Sequence, residues 1–167
     1  HEILLTEDYE DVLTDIFSRK NLPRNLNLYL HRPTATDPSL TPEGHDTMYA
    51  LVPVPNLRGD QDWSEIGDRF ADRVLQQLEV RVCPELTESL TERFFMTPED
   101  FRTDYLSRFG SGFSIQPTLS QSAWFRFNNK SHIEDLYLVG AGTHPGAGLP
   151  GVVSSAKTME NCLRDGL

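Results

Sequence analysis

The sequence predicts an α+β fold in which short strands and amphipathic helices follow one another. Helical spacing of apolar residues, every three or four positions, occurs at 7–19 and 64–82. Leucines alternate with other residues at 26–30, which indicates a half-buried strand. Near the end of the chain, an apolar run at 136–139, a glycine-rich segment and a second helical pattern follow in that order.

The first half of the chain is predicted as strand, helix, two strands and a long helix. A short strand at 1–6 precedes the helix at 7–19, which Pro23 closes. The nearly continuous apolar run at 47–54 predicts a strand that is covered on both faces. Asp62 and Glu65 predict the start of the long helix. Its expected buried side comprises Ile66, Phe70, Val74 and Leu78.

The middle of the chain gives two signals of different strength. Residues 86–95 predict another strand, although their alternation is poor. Thr97, Pro98, Glu99 and Asp100 form the pattern of a helix start, with a capping residue, proline in the first turn and early acids. We therefore expect a short helix that ends near Leu106, followed by a loop at 110–113.

The glycine-rich segment at 140–151 holds five glycines in twelve positions. Glycine allows a close approach of backbone to a ligand, and the helix that follows directs N–H groups toward an anion. A ligand loop and an ordinary glycine-rich turn are both compatible with this pattern. Gly146 to Gly151 also spell G-x-G-x-x-G, but the predicted strand ends several residues too early for a dinucleotide fingerprint. The apolar side of the last helix is expected at Val152, Val153, Ala156, Met159 and Leu163.

Composition excludes several functions. The net charge of −10 argues against a nucleic-acid-binding protein and against electrostatic docking to anionic lipid. Apolar runs are short and no signal-peptide pattern opens the chain, so we expect neither a transmembrane helix nor a signal peptide. The histidines, Cys83 and Cys162 show no spacing typical of a metal site.

Three stretches occur in the order found in a known family. They are Leu28-Tyr29-Leu30-His31-Arg32-Pro33 with Asp37-Pro38-Ser39-Leu40, then the run from Tyr49 to Pro55, and finally Gln121-Ser122-Ala123-Trp124-Phe125-Arg126 with the run LYLVGAGTHPGAGLPGV at 136–152. Together they resemble the bacterial and fungal phytoene desaturases over nearly the whole chain. Since those enzymes are much longer, we expect this chain to be their C-terminal third.

The resemblance implies a flavoprotein. Residues 1–120 would be a portion of the substrate domain, and 121–167 the end of a Rossmann-like FAD-binding domain whose dinucleotide motif lies upstream. Gly140, Ala141 and Gly142 would approach the ribityl-diphosphate region of FAD, through backbone N–H groups because no acid stands there. The isoalloxazine ring would lie near Gly148, Leu149, Pro150, Gly151 and Val152.

Other residues have two interpretations each. Trp124, Phe125 and Phe127 would line an apolar tunnel for a polyene, or belong to a core. Arg126 would face the diphosphate or pair with an acid. His144 is a weak candidate for a general base, and we favour a loop histidine because hydride transfer to the flavin carries the main step. No other catalytic side chain is assigned.

The implied parent enzyme dehydrogenates a hydrophobic C40 carotenoid in carotenoid biosynthesis. We expect it at the cytoplasmic side of a membrane, in peripheral contact through apolar surface, and we leave its oligomeric state open. The chain alone is expected to be inactive. Two alternatives remain: a sister flavin oxidoreductase, such as a carotenoid isomerase, a later-step desaturase or a retinol saturase, and a non-enzymatic module that binds a nucleotide or anion.

Overall fold

The structure is a computed structural model that describes residues 1–116 and 118–164. The chain forms two compact units, one of residues 1–111 and one that starts at Gly112. The mixture of helices with a three-stranded sheet confirms the α+β prediction. The boundary that the resemblance implies, between a substrate domain at 1–120 and an FAD-binding domain at 121–167, refers to a longer enzyme and stays a prediction.

The first unit is built on an antiparallel sheet of strands β1 (Glu2–Leu4), β2 (Leu28–His31) and β3 (Tyr49–Leu51), in that spatial order. Tyr29 pairs with Ile3 on one side and with Leu51 on the other, so β2 is the central strand. All three strands were predicted from the sequence. The prediction that the third is covered on both faces is wrong, because β3 is an edge strand with Tyr49 and Ala50 exposed.

Four helices complete the first unit. They are α1 (Tyr9–Thr14), which continues as a π-helical turn (Asp15–Arg19), α2 (Trp63–Arg81), α3 (Leu86–Ser89) and α4 (Pro98–Asp104). Asp62 caps α2 by accepting a hydrogen bond from the backbone N–H of Ser64, at 3.0 Å. The strand predicted at 86–95 is wrong. The Glu79 carboxylate of α2 accepts from the N–H and the hydroxyl of Thr87, which ties this segment to a helix instead of a sheet.

The sheet and α2 share the core of the first unit. Leu28 and Leu30 of β2 are buried against Leu78 of α2. Partly buried apolar side chains surround these leucines: Leu4, Val52, Val74, Val82 and Leu86. Ile66 and Phe70 are also half-buried, so the predicted inner side of the long helix is confirmed.

The second unit contains one long helix, α5 (Leu149–Arg164), among turns and single-residue bridges. The strand predicted at 136–139 is wrong in this chain. Tyr137 forms one bridge with Lys130, while Leu138 and Val139 are exposed. Besides this bridge, the N–H of Leu138 donates to the carbonyl of Asn129 at 2.7 Å, so the segment is joined to the preceding loop without forming a regular ladder.

The predicted apolar side of α5 is confirmed only in part, because Val152 and Met159 are half-buried but Ala156 is exposed. Val153 and Leu163 are exposed, whereas Ser155 is fully buried. The helix faces buried polar groups in its own unit, and these groups need hydrogen-bond partners rather than apolar contacts.

Short 3₁₀ turns connect the elements of both units, at Pro33–Ala35, Pro38–Leu40, Arg108–Gly110, Leu119–Gln121 and Ala123–Phe125. In the part of the chain covered by the structure, no helix has both the length and the apolar character required to cross a membrane.

The predicted start of α4 is a complete capping box. The Asp100 carboxylate accepts from the N–H of Thr97 at 2.6 Å and from its hydroxyl at 2.7 Å, while the N–H of Asp100 donates to Thr97 Oγ1 at 3.4 Å. These hydrogen bonds, that from the backbone N–H first, lower the pKa of the Asp100 carboxyl below its usual value. The carboxylate therefore stabilises the folded state above the pKa of the unfolded chain, and this contribution is lost as the pH falls through the lowered pKa.

We expect Asp100→Asn to reduce the free energy of unfolding by about 0.3–1 kcal/mol at pH 7, because it removes a negative charge from a helix N-terminus. Urea denaturation at several pH values measures the difference from wild type, which should vanish at acid pH. Asp104→Asn is the matched control, since it removes the same charge at the other end of α4. If both variants lost the same free energy of unfolding, the effect would not come from a negative charge at the N-terminus of α4.

Candidate functional site

The glycine loop, residues 140–151, has backbone angles that require glycine at three positions. Gly140, Gly146 and Gly148 have φ values of +120°, +136° and +90°, where other residues are strained. Around Gly140 and Gly148, a β-carbon would meet nothing within 4 Å. These two glycines therefore border open space that a ligand can enter.

Gly151 is needed for a different reason. A β-carbon at this position would lie 2.6 Å from the carbonyl oxygen of Gly146. The first turn of α5 thus packs directly on the backbone of the loop. At Gly142 the nearest atom would be the Ser114 hydroxyl oxygen, at 2.9 Å, which belongs to a side chain that can rotate away.

The turn at 140–143 is held by hydrogen bonds to four of its backbone groups. The N–H of Gly140 donates to Ser155 Oγ at 2.8 Å, and its carbonyl accepts from the N–H and hydroxyl of Thr143, at 3.2 and 3.1 Å. The carbonyl of Ala141 accepts from Nε of Arg126 at 3.1 Å, and also from Nη2. In the described part of the chain, no acceptor contacts the N–H groups of Ala141 and Gly142.

Three buried polar residues supply these contacts, and a fourth, Asn129, donates to the side chain of Thr143. Arg126, Asn129, Thr143 and Ser155 have exposed fractions of 6%, 3%, 5% and 0%. Asn129 Nδ2 lies 3.0 Å from the carbonyl oxygen of Leu138, 3.2 Å from that of Ser155 and 3.3 Å from Thr143 Oγ1. We call Asn129, Thr143 and Ser155 the polar clamp. It joins the 136–139 segment, the turn and α5.

The sequence did not single out the polar clamp. Its only signal is spacing, because Ser155 follows Val152 by three residues and precedes Met159 by four, on one side of a helix. Arg126 was predicted either to face the diphosphate of the cofactor or to pair with an acid, and the first alternative stays a prediction. Arg126 donates to the carbonyls of Ala141 and Gln121, and no carboxylate pairs with it among residues 1–116 and 118–164.

The two predicted groups of cofactor-binding residues are linked through α5. Gly140, Ala141 and Gly142 form the turn, and Gly148, Leu149, Pro150, Gly151 and Val152 form the end of the loop and the start of the helix. Ser155 connects them, since its hydroxyl donates to the carbonyl of Val152 at 2.6 Å and accepts from Gly140. Their role toward a cofactor stays a prediction.

The N-terminus of α5 adds a partial positive charge beside the loop. The N–H of Val152 donates to the carbonyl of Gly148 at 2.9 Å. No acceptor for the N–H of Gly151 occurs within the structurally described ranges. The leading residues Leu149 and Pro150 are exposed.

The aromatic residues before the loop are not part of a core in this chain. Trp124, Phe125 and Phe127 are 91%, 70% and 64% exposed. The interpretation that they pack inside is therefore wrong here, and the tunnel remains a prediction.

The side chain of His144 lies at an open cleft of about 520 Å³. Lys130, His132 and Cys162 are among the other lining residues. The backbone N–H of His144 donates to the carbonyl of Phe127 at 3.0 Å. Nothing in these contacts assigns it a catalytic role. No group of metal-binding side chains occurs within 1–116 and 118–164.

The chain is similar to carotenoid-forming enzymes along its whole length. It is 45% identical to phytoene desaturase (neurosporene-forming) of Rhodobacter capsulatus over 168 residues, which cover 99% of this chain and 32% of that protein. It is 49% identical to phytoene desaturase (lycopene-forming) of a Paracoccus species over 165 residues, which cover 98% of this chain and 33% of that protein. No protein-family model matches the chain.

A further relative is more distant. The chain is 38% identical to 4,4'-diapophytoene desaturase (4,4'-diaponeurosporene-forming) of Staphylococcus haemolyticus over 171 residues, which cover 99% of this chain and 34% of that protein. The resemblance to the phytoene desaturases is thus confirmed, and the chain spans about a third of the length of the relatives it matches.

We expect Gly151→Ala to lower the free energy of unfolding by about 1–3 kcal/mol, because the added β-carbon meets the backbone oxygen of Gly146. The better helix propensity of alanine opposes this by at most about 1 kcal/mol. Chemical denaturation measures the change. Gly142→Ala is the control with the smaller expected loss, since Ser114 can rotate. Equal losses in the two variants would contradict the prediction, because close packing of α5 on the loop would then add nothing to the cost of the substitution.

Proposed function

We propose that this chain, which is homologous along its whole length to phytoene desaturases, is the C-terminal third of an FAD-dependent carotenoid desaturase. The observation that carries the proposal is the identity of 45–49% over 98–99% of the chain. The parent enzyme dehydrogenates the C40 polyene phytoene in carotenoid biosynthesis. Residues 1–120 then belong to its substrate domain, and 121–167 end its Rossmann-like FAD-binding domain.

The glycine loop has features that fit FAD. Open space lies next to Gly140 and Gly148, where a β-carbon would otherwise limit the approach of a ligand. The N–H groups of Ala141 and Gly142 suit the ribityl-diphosphate region, since no described residue accepts from them. The start of α5, from Leu149 to Val152, suits the ring, because its partial positive charge favours an electron-rich carbonyl.

When bound, FAD would supply the acceptor for a hydride from the polyene, and the proton from the adjacent carbon would pass to a base or to water. The residues of this chain bind and orient the reactants. N–H groups at Ala141, Gly142 and Gly151 would hold polar edges of the cofactor in a fixed orientation. The preorganised helix terminus at Gly151 stabilises negative charge placed beside it. No proton acceptor is assigned, and His144 remains the weak candidate.

The exposed aromatic side chains suit a hydrocarbon substrate. Trp124, Phe125 and Phe127 present uncharged surface directly before the loop, and we assign them to the passage for the polyene. The parent enzyme is expected to contact the membrane peripherally, on the cytoplasmic side, through apolar surface, because a C40 hydrocarbon is stored in the lipid phase. Its oligomeric state is left to measurement.

The comparisons favour phytoene over its 4,4'-diapo analogue as the substrate. Identity is 45–49% to the two phytoene desaturases and 38% to the diapophytoene desaturase. Neurosporene-forming and lycopene-forming relatives are about equally similar, so the number of desaturation steps is not assigned. Neither a sister oxidoreductase nor a non-enzymatic module is favoured by these names.

We expect the full-length gene product, incubated with FAD, membranes and phytoene, to form coloured polyenes that chromatography resolves. The 167-residue chain under the same conditions should form none, because it holds only one side of the proposed cofactor site. Bound flavin without conversion of phytoene would favour a sister oxidoreductase. Absence of bound flavin from the full-length protein would overturn the proposal.

A further inference from the structure

We infer that the polar clamp of Asn129, Thr143 and Ser155 is a positioning device, which turns the N–H groups of Ala141 and Gly142 toward the cofactor. This inference rests on the proposed function. It assigns a role to three side chains that do not themselves touch FAD. Ser155 is the central member, because it links the turn to the first residues of α5.

Hydrogen bonds within the protein occupy both ends of the turn and two of its carbonyl oxygens. The carbonyl oxygens of Gly140 and Ala141 both accept from donors of the protein. The N–H groups of Gly140 and Thr143, at the ends of the turn, are also paired within the protein. The two N–H groups in the middle have no acceptor in the described part of the chain. The protein therefore fixes the ends of the turn, and its two central N–H groups remain for a ligand.

The hydroxyl of Ser155 has a defined orientation. A serine hydroxyl has one hydrogen, and here it donates to the carbonyl of Val152 at 2.6 Å. Its oxygen then accepts the N–H of Gly140 at 2.8 Å. Since Ser155 is fully buried, water does not compete for either contact. One side chain thus sets the distance between the turn and the N-terminus of α5.

Asn129 and Thr143 extend the same constraint. The amide of Asn129 donates to Thr143 Oγ1 at 3.3 Å, and the Thr143 hydroxyl donates to the carbonyl of Gly140 at 3.1 Å. Nδ2 of Asn129 also lies 3.2 Å from the carbonyl oxygen of Ser155. The donors and acceptors therefore form a connected chain from the loop before the 136–139 segment, through the turn, to the helix.

A purely structural role and a positioning role make different predictions for bound flavin. A structural role changes the stability of the apoprotein and leaves the ligand environment as it is. A positioning role changes the affinity for FAD and the visible absorption of the flavin, because the N–H groups that face it move. The test therefore needs both kinds of measurement on the same variants.

Ser155→Thr and Ser155→Val form an isosteric pair that differs only in the hydroxyl. The same substitutions at Ser154, which is exposed on the same helix, are the matched controls. In the full-length holoenzyme we would measure the dissociation constant for FAD, the visible spectrum and the melting temperature of the apo form. If the added bulk of threonine and valine at the buried position prevents folding, Ser155→Ala is measured instead, with Ser154→Ala as its control.

We expect Ser155→Val to bind FAD about tenfold more weakly than Ser155→Thr, the effect of losing one buried hydrogen bond. Its flavin band should shift, while the two Ser154 variants should match each other. Unchanged affinity and spectrum in Ser155→Val, with a lower melting temperature of the apo form, would leave only a structural role and overturn the inference. If the wild-type protein itself binds no FAD, the proposed function is overturned. That result is distinct from a failure of the positioning role, which the variants measure.

Discussion

The glycine loop has to be held in place without a β-ladder. In most strand–loop–helix units, the hydrogen bonds of a sheet fix the chain where it enters the loop. Here the 136–139 segment forms an isolated bridge between Tyr137 and Lys130, and the N–H of Leu138 donates to the carbonyl of Asn129. The turn that follows depends instead on buried side chains, with Ser155 and Asn129 at the centre. The conformation of the loop therefore depends on a few hydrogen bonds whose donors and acceptors are shielded from water.

The two units are stabilised by different interactions. In the first, apolar side chains of β2 and α2 are buried together, and the hydrophobic effect is the main contribution. In the second, the buried residues around the loop are mainly polar, and directional hydrogen bonds select one arrangement. A hydrophobic core tolerates exchange of similar side chains, whereas the two amide hydrogens of Asn129 are shared among three oxygens at 3.0, 3.3 and 3.2 Å, which another side chain does not reproduce.

Local signals in the sequence were sufficient for the strands of the first unit and for every α-helix except α3, which was predicted as a strand. Thr97 and Pro98 mark the start of α4, and periodicity marks α2, because both depend on neighbours along the chain. The strand at 136–139 and the inner side of α5 depend on what lies beside them in space, which periodicity does not contain. For the site, the sequence indicated the loop from its glycines. It missed Ser155, because a buried serine among valines is recognised only when its partner is known.

Two features of the second unit have one explanation under the proposed function. They are its exposed apolar surface and the absence of a regular strand at 136–139. Val139, Leu149 and Val153 are apolar and exposed, close in sequence to both ends of the loop. A strand needs neighbours on its edges, and apolar side chains need cover, so both features call for further protein at the same place. The relatives are about three times as long as this chain and have such protein to contribute. The polar clamp needs no such addition, since its partners lie within residues 129–155. The loop can therefore have its binding conformation before the rest of the cofactor site is assembled around it.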